Sequence, residues 1–154
     1  MTVSFADDQD DPLPAASLVA LAQSVLEAEG FPADAEVSLQ FVSADRIAGL
    51  NQEHMGRSGP TDVLSFPLED LRPGVVPEPV DGGPPLLLGD VMICPQVVRA
   101  NAAEWGVPFD GEMALMVVHG MLHLLGYDHA EDAEAERMET REREILAATG
   151  RERP

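Results

Sequence analysis

Three of the four histidines in this 154-residue chain fall in one short window, "HGMLHLLGYDH", residues 119–129. His119 and His123 are four apart, so on a helix they stand one turn above each other and their imidazoles can reach one ion. Gly126 falls where that helix should stop, because glycine tolerates the left-handed conformation that reverses the chain. The reversal can return His129 toward the first two ligands. Three nitrogen ligands and one open position for water define a catalytic rather than a structural zinc site. Zinc is the first choice for imidazole ligands, with nickel and copper as alternatives. A zinc ion with three neutral ligands keeps its full charge; it draws the pKa of a water ligand from about 15.7 toward about 7 and can bind a phosphate oxygen.

The spacing H-x-x-x-H-x-x-G-x-x-H is also that of metzincin proteases, which carry Glu directly after the first His as general base. Here that position is Gly120. Without the base, peptide hydrolysis by that route loses about 10²–10⁴ in rate. A metzincin-like metallohydrolase, peptidase or phosphoesterase, is therefore the second reading.

The elements that must position these residues follow from the apolar pattern. Val3 and Phe5 alternate in a candidate edge strand, 3–6. "PAASLVALAQSVLEAEG" sets Leu18, Leu21, Ala22, Val25 and Leu26 on one helical face and stops at Gly30. "EVSLQFVS" alternates as a half-buried strand, and Ser43 can cap a helix through Ile47 and Leu50. "TDVLSFP" is a short strand ended by Pro67. Residues 68–85, dense in proline and glycine, form a mobile loop. "LLLGDVMIC" is an apolar strand interrupted at Gly89–Asp90, where glycine can permit a bulge, and Pro95 suits the first turn of a following helix. Asp110 is placed to cap a helix from Gly111 to Leu125. A last helix, 131–148, begins acidic and carries Arg137, Arg141 and Arg143 further on, as the helix dipole prefers. The order predicts an α+β fold: about four strands in a mixed sheet packed against several helices, with the zinc site at the end of a core helix.

Length and an apolar fraction of 45% fit one domain, 1–154. One cysteine, Cys94, excludes an internal disulfide and reads as a small buried core residue in a reducing compartment. The acidic N-terminal stretch is no signal peptide, and no apolar run approaches the roughly 20 residues of a membrane span, so a cytoplasmic location is expected. The charge is −19, with no lysine and nine arginines. A chain this acidic is repelled by nucleic acid as a whole, so any RNA function must work through a locally positive site.

"HGMLHLLGYDH", "GPTDVLSFP" (59–67) and "LLGDVMIC" (87–94) resemble, in order and separation, the YbeY family of bacterial single-strand-specific endoribonucleases. The resemblance spans roughly residues 35–148. It implies a zinc-dependent endoribonuclease that matures the 3′ end of small-subunit (16S) rRNA and takes part in ribosome quality control. It carries the metal ligands onto His119, His123 and His129, and it implies rRNA, the small ribosomal subunit and the GTPase Era as partners. Many members have an arginine in "LN-x-x-x-R-G"; here the segment reads "LNQEHMG", which puts Met55 at that place. Arg57, two residues on, is the candidate to supply the same charge, with Arg46 nearby.

Other residues have candidate roles around this centre. Asp128 can orient a ligand imidazole or cap the last helix. Asp90 breaks an apolar strand and is a candidate site-lining residue. Thr61 and Ser65 can line a cleft, Tyr127 can meet substrate or pack over the helix end, and His54 is expected to be exposed. A third reading, a non-enzymatic ribosome-assembly factor with a structural metal, would want a fourth protein ligand, and no spare Cys or His is placed to serve.

Overall fold

The computed structural model describes residues 1–78 and 80–154; Pro79, one of the prolines of the 68–85 loop, lies outside them. Four strands form one mixed sheet: β1 (Thr2–Asp8), β2 (Glu36–Val42), β3 (Val63–Pro67) and β4 (Leu87–Ile93), in the spatial order β1-β2-β4-β3. β1 and β4 run parallel to β2, and β3 runs antiparallel to β4. A parallel pair needs a crossover, and α1 (Ala15–Ala28) supplies it between β1 and β2. β1 is longer than the expected 3–6 because its whole length pairs with β2, from Thr2 opposite Glu36 to Asp8 opposite Val42.

Alternation divides the sheet into two faces. Val37, Leu39 and Phe41 of β2 and Val91 and Ile93 of β4 turn to the main core, all at most 2% exposed. α1 buries Leu18, Leu21, Ala22, Val25 and Leu26 there, the stripe its periodicity predicts. The other face is covered near one end by α2 (Ala44–Leu50), whose Ile47 joins Val42, Leu64 and Cys94 in a smaller cluster. Ser43 caps α2 by accepting the backbone N–H of Arg46 at 3.2 Å. Beyond α2 the chain widens into a π-helical turn, Asn51–Met55.

The remaining helices are α3 (Pro95–Trp105), α4 (Phe109–Leu124) and α5 (Asp132–Ala148). α4 is apolar nearly all round and accordingly central: it touches α1, α3, α5, β3 and β4. Its start corrects the expected cap. Pro108, extended at φ −65° and ψ 140°, is the N-cap, and its carbonyl accepts the N–H of Glu112. Asp110 instead sits in the first turn with Glu112, where the helix dipole favours acids. In α5 no arginine reaches the last turn, so the dipole does not explain them; Arg141 binds Glu29 and Arg143 pairs with Glu139.

β4 is not interrupted at Gly89–Asp90. It runs through with one extra residue, since Glu36 pairs with Leu87 and Val37 with Gly89. Gly89 adopts φ +130°, and a Cβ there would lie 2.2 Å from the carbonyl oxygen of Phe66. The glycine therefore allows both the bulge and the close approach of β3. Among the described residues, 68–86 hold turns and bends but no helix or strand, and Leu71, Val76 and Leu86 of that segment pack on the core. Also among the described residues, no helix is long and apolar enough to cross a membrane.

Candidate metal centre

α4 places His119 and His123 on one face, and its end delivers the third imidazole. Gly126, at φ +101°, donates its N–H to the His123 carbonyl at 3.1 Å, and Tyr127 donates to Leu122 at 3.0 Å. This paired arrangement is the glycine helix stop that satisfies the last carbonyls while reversing the chain. A Cβ on Gly126 would also lie 2.3 Å from the Leu71 carbonyl oxygen, so the 68–85 segment presses directly on the turn. Three residues further, His129 comes back over the helix end. One ligand nitrogen from each of His119, His123 and His129 lies within 4.8 Å of the others.

Two of these imidazoles are held from behind. His119 Nδ1 lies 2.7 Å from Glu142 Oε2, and His123 Nδ1 lies 2.9 Å from the Tyr127 carbonyl oxygen. Both partners accept, so each Nδ1 donates a hydrogen and, in the neutral ring, Nε2 is the nitrogen left with the lone pair. That is the tautomer a metal ligand needs. Burial, and then the neighbouring His119 and His129, push the His123 pKa below its ordinary value. That direction favours the neutral ring. The donor set fits a borderline-soft divalent ion.

The histidines open onto a cleft of about 660 Å³. Its walls include Asn51 and Met55 of the π-helical turn, Arg57, Thr61, Asp62 and Ser65, together with His119, His123 and His129. Arg57 and Met55 thus line the same cleft, and among the described residues Arg57 is the one arginine on its wall. Arg46 is not on that wall. Ser65 lines the cleft but donates its hydroxyl to the Gly120 carbonyl at 2.7 Å. Tyr127 serves through its carbonyl, while its ring is 6% exposed beside Arg137 and Glu29; burial, foremost, lifts its phenol to about 12. Asp128 is exposed and accepts the backbone N–H of His129 at 2.7 Å. It bonds no ligand imidazole, and the N-cap of α5 is Glu131, so neither of its expected contacts forms. Asp90 is absent from the cleft wall. It alternates with Val91, which faces α4, so its side chain belongs to the opposite face, in register with Ser38 and Phe66. His54 is 45% exposed and sits edge-on to the Phe66 ring.

Gly120 has a cause that its sequence position did not reveal. A Cβ there would lie 2.6 Å from Val91 Cγ1 and 2.9 Å from Val63 Cγ2. A side chain at 120 would collide with Val91 and Val63 where α4 packs on the sheet, with the Ser65 hydroxyl 3.6 Å away, so packing opposes a base at this position.

Glu142 was missed in the sequence. Only 1% exposed, it occupies the buried stripe of α5 with Met138, Ile145 and Leu146, at the spacing of apolar neighbours. An acid on that stripe was the available signal. Buried Glu112 lies in the same region; its pKa is raised above its ordinary value chiefly by burial and next by Asp62, with Arg153 acting against.

Comparison with known proteins gives a consistent result. A family model described as "Endoribonuclease YbeY" matches residues 4–150. A Methylococcus capsulatus protein named Endoribonuclease YbeY is 52% identical over 78% of this chain and 74% of its own length. A Micrococcus luteus protein of the same name is 40% identical over 100% of this chain and 96% of its own. A Thermotoga maritima protein solved in solution superposes with a TM-score of 0.58 at 29% identity, covering 97% of this chain and 92% of that one.

Proposed function

This chain belongs to the endoribonuclease YbeY family, and from that premise we propose that it cleaves single-stranded RNA at a zinc centre of His119, His123 and His129, maturing the 3′ end of small-subunit (16S) rRNA and serving ribosome quality control. It is an endoribonuclease, a hydrolase of RNA phosphodiester bonds, with a role in rRNA processing. The observation that carries the proposal is the convergence of three imidazoles within 4.8 Å on a cleft that also holds Arg57.

When bound, zinc supplies Lewis acidity, polarising a phosphate oxygen and lowering the pKa of water. The chain's own residues do the rest. The Glu142 carboxylate and the Tyr127 carbonyl hold the Nδ1 hydrogens of His119 and His123 and so aim their Nε2 atoms. Arg57 binds the backbone phosphate beside the scissile bond, in the role the family assigns to the residue at Met55. The cleft also carries Asp62, Glu69, Asp70 and Asp128. These acids repel phosphate elsewhere along the groove, which confines productive binding to the ion and Arg57. The small ribosomal subunit and the GTPase Era are the proposed partners, and protein contacts bring the enzyme to its RNA.

A single-stranded oligoribonucleotide and its duplex form, assayed with Arg57→Ala, test this assignment. We expect cleavage of the single strand alone. The variant should raise KM about tenfold, the equivalent of one charge-assisted phosphate contact of about 1.5 kcal/mol, with a smaller change in kcat. Equal cleavage of the duplex, or an unchanged KM, contradicts the proposal.

A further inference from the structure

Glu142 has two oxygens and two partners on opposite sides. Oε2 takes the His119 Nδ1 hydrogen at 2.7 Å, and Oε1 takes the Nε hydrogen of Arg153 at 3.2 Å. We propose that Arg153, from the segment that follows α5, is a positioning residue of the metal centre, orienting the His119 imidazole through Glu142. The proposal rests on the assignment of His119 as a metal ligand.

The segment is anchored to reach that place. After α5 the chain reverses at Gly150, whose N–H bonds the Ala147 carbonyl, and Arg151 donates its N–H to Leu146 at 2.8 Å. The Arg151 guanidinium then bonds the Ser17 hydroxyl on α1 at 3.1 Å. These contacts lay Arg153 along the face of α5 that carries Glu139 and Glu142, and its Nη2 lies 3.9 Å from Glu139.

Glu142 needs such a partner for two reasons. The terminal torsion of a glutamate is broad, so a single hydrogen bond leaves its carboxylate free to pivot. A second contact at the other oxygen removes that freedom and fixes the direction in which Oε2 meets the imidazole. Glu142 is also 1% exposed, and a buried carboxylate without a cation is costly. A second cavity, of about 280 Å³, shares His119 and His129 with the cleft and is otherwise walled by Ala135, Met138, Glu139, Glu142 and Arg153. Truncating Arg153 opens this space to water, which can solvate Glu142 and preserve the fold but cannot hold its orientation.

The test uses the full chain as wild type, Arg153→Ala, Arg153→Lys and Glu142→Gln. Each is stripped of metal and titrated with Zn²⁺ against a competing chelator. Partners behind metal ligands contribute about tenfold to hundredfold in affinity, so Arg153→Ala should lose about tenfold and Glu142→Gln at least as much. Arg153→Lys, which keeps the cation, should recover most of the loss. Nitrogen spectra of the metal-free imidazoles should show His119 leaving its single Nδ1–H tautomer in Arg153→Ala, a change that loss of stability alone does not produce. Wild-type affinity and an unchanged His119 tautomer in Arg153→Ala overturn the role of Arg153 while leaving the metal centre intact. Failure of the wild type to bind Zn²⁺ overturns the metal centre itself, and this inference with it.

Discussion

The histidines act here as a set because their backing differs from that of ordinary surface residues. His119 leans on a buried carboxylate and His123 on a carbonyl fixed by the glycine stop, so neither ring is free to turn its Nε2 away from the cleft. Burial of acids near this centre has a measurable cost. Glu112 is 4% exposed, and its pKa lies above the ordinary 4.5. The folded state therefore binds its proton more tightly than the unfolded state. Stability is fully present below the unfolded pKa and is lost as pH rises through the folded value. Glu112→Gln should raise the denaturant midpoint at neutral pH and bring no gain below pH 4.5. A gain of equal size at both pH values would contradict the assignment. At this scale the convergence of the three histidines was legible because their relation is local, one helical turn and one glycine reversal. Glu142 was not, because it meets His119 across 23 residues of sequence, and its acid type argues for the surface until its place on an apolar stripe is weighed.

Among the elements, α4 is the one on which the site depends, and it lies on the sheet where Gly120 lets it approach. Gly120→Glu restores the metzincin pattern on paper. In this fold it drives a charged side chain between Val63 and Val91, and it should destabilise the chain by more than about 3 kcal/mol by overpacking and charge burial, without conferring proteolysis. Urea unfolding and a casein-type assay check both halves of that outcome. A stable variant that cleaves casein would refute the packing account. The order of strands and helices was legible throughout, since the apolar period changes cleanly from two to nearly four along the chain. The start of α4 was not, because Asp110 is a favoured cap type while Pro108 takes the position through its fixed φ. Nor was the π-helical turn at Asn51–Met55, which has no distinguishing composition of its own and yet forms one wall of the cleft.

For the molecule as a whole, the difficulty is how a chain of −19 acts on RNA. Four of its nine arginines pair with acids within the fold, Arg99 with Asp11, Arg141 with Glu29, Arg143 with Glu139 and Arg153 with Glu142, while Arg137 and Arg151 bond the Pro73 carbonyl and the Ser17 hydroxyl. Among the described residues, Arg57 is the arginine that lines the cleft. Binding to single-stranded RNA should therefore show a shallow salt dependence, with a slope in log–log form of about −0.7 for each of one or two phosphates neutralised. A slope implying about six or more phosphates would contradict this reading. The cleft itself was the least legible feature. It is assembled from residues 51–71 and 119–129, two stretches whose meeting depends on β3 pairing with β4 beneath α4.

The central claim, that the three histidines hold the ion on which RNA cleavage depends, is tested most directly by comparing His123→Ala with the wild type, prepared identically to exclude contaminating ribonuclease. Metal content and cleavage of single-stranded RNA are measured on the same samples. The account predicts one zinc per wild-type chain and loss of both zinc and cleavage in the variant. RNA cleavage that persists in the metal-free variant would contradict it.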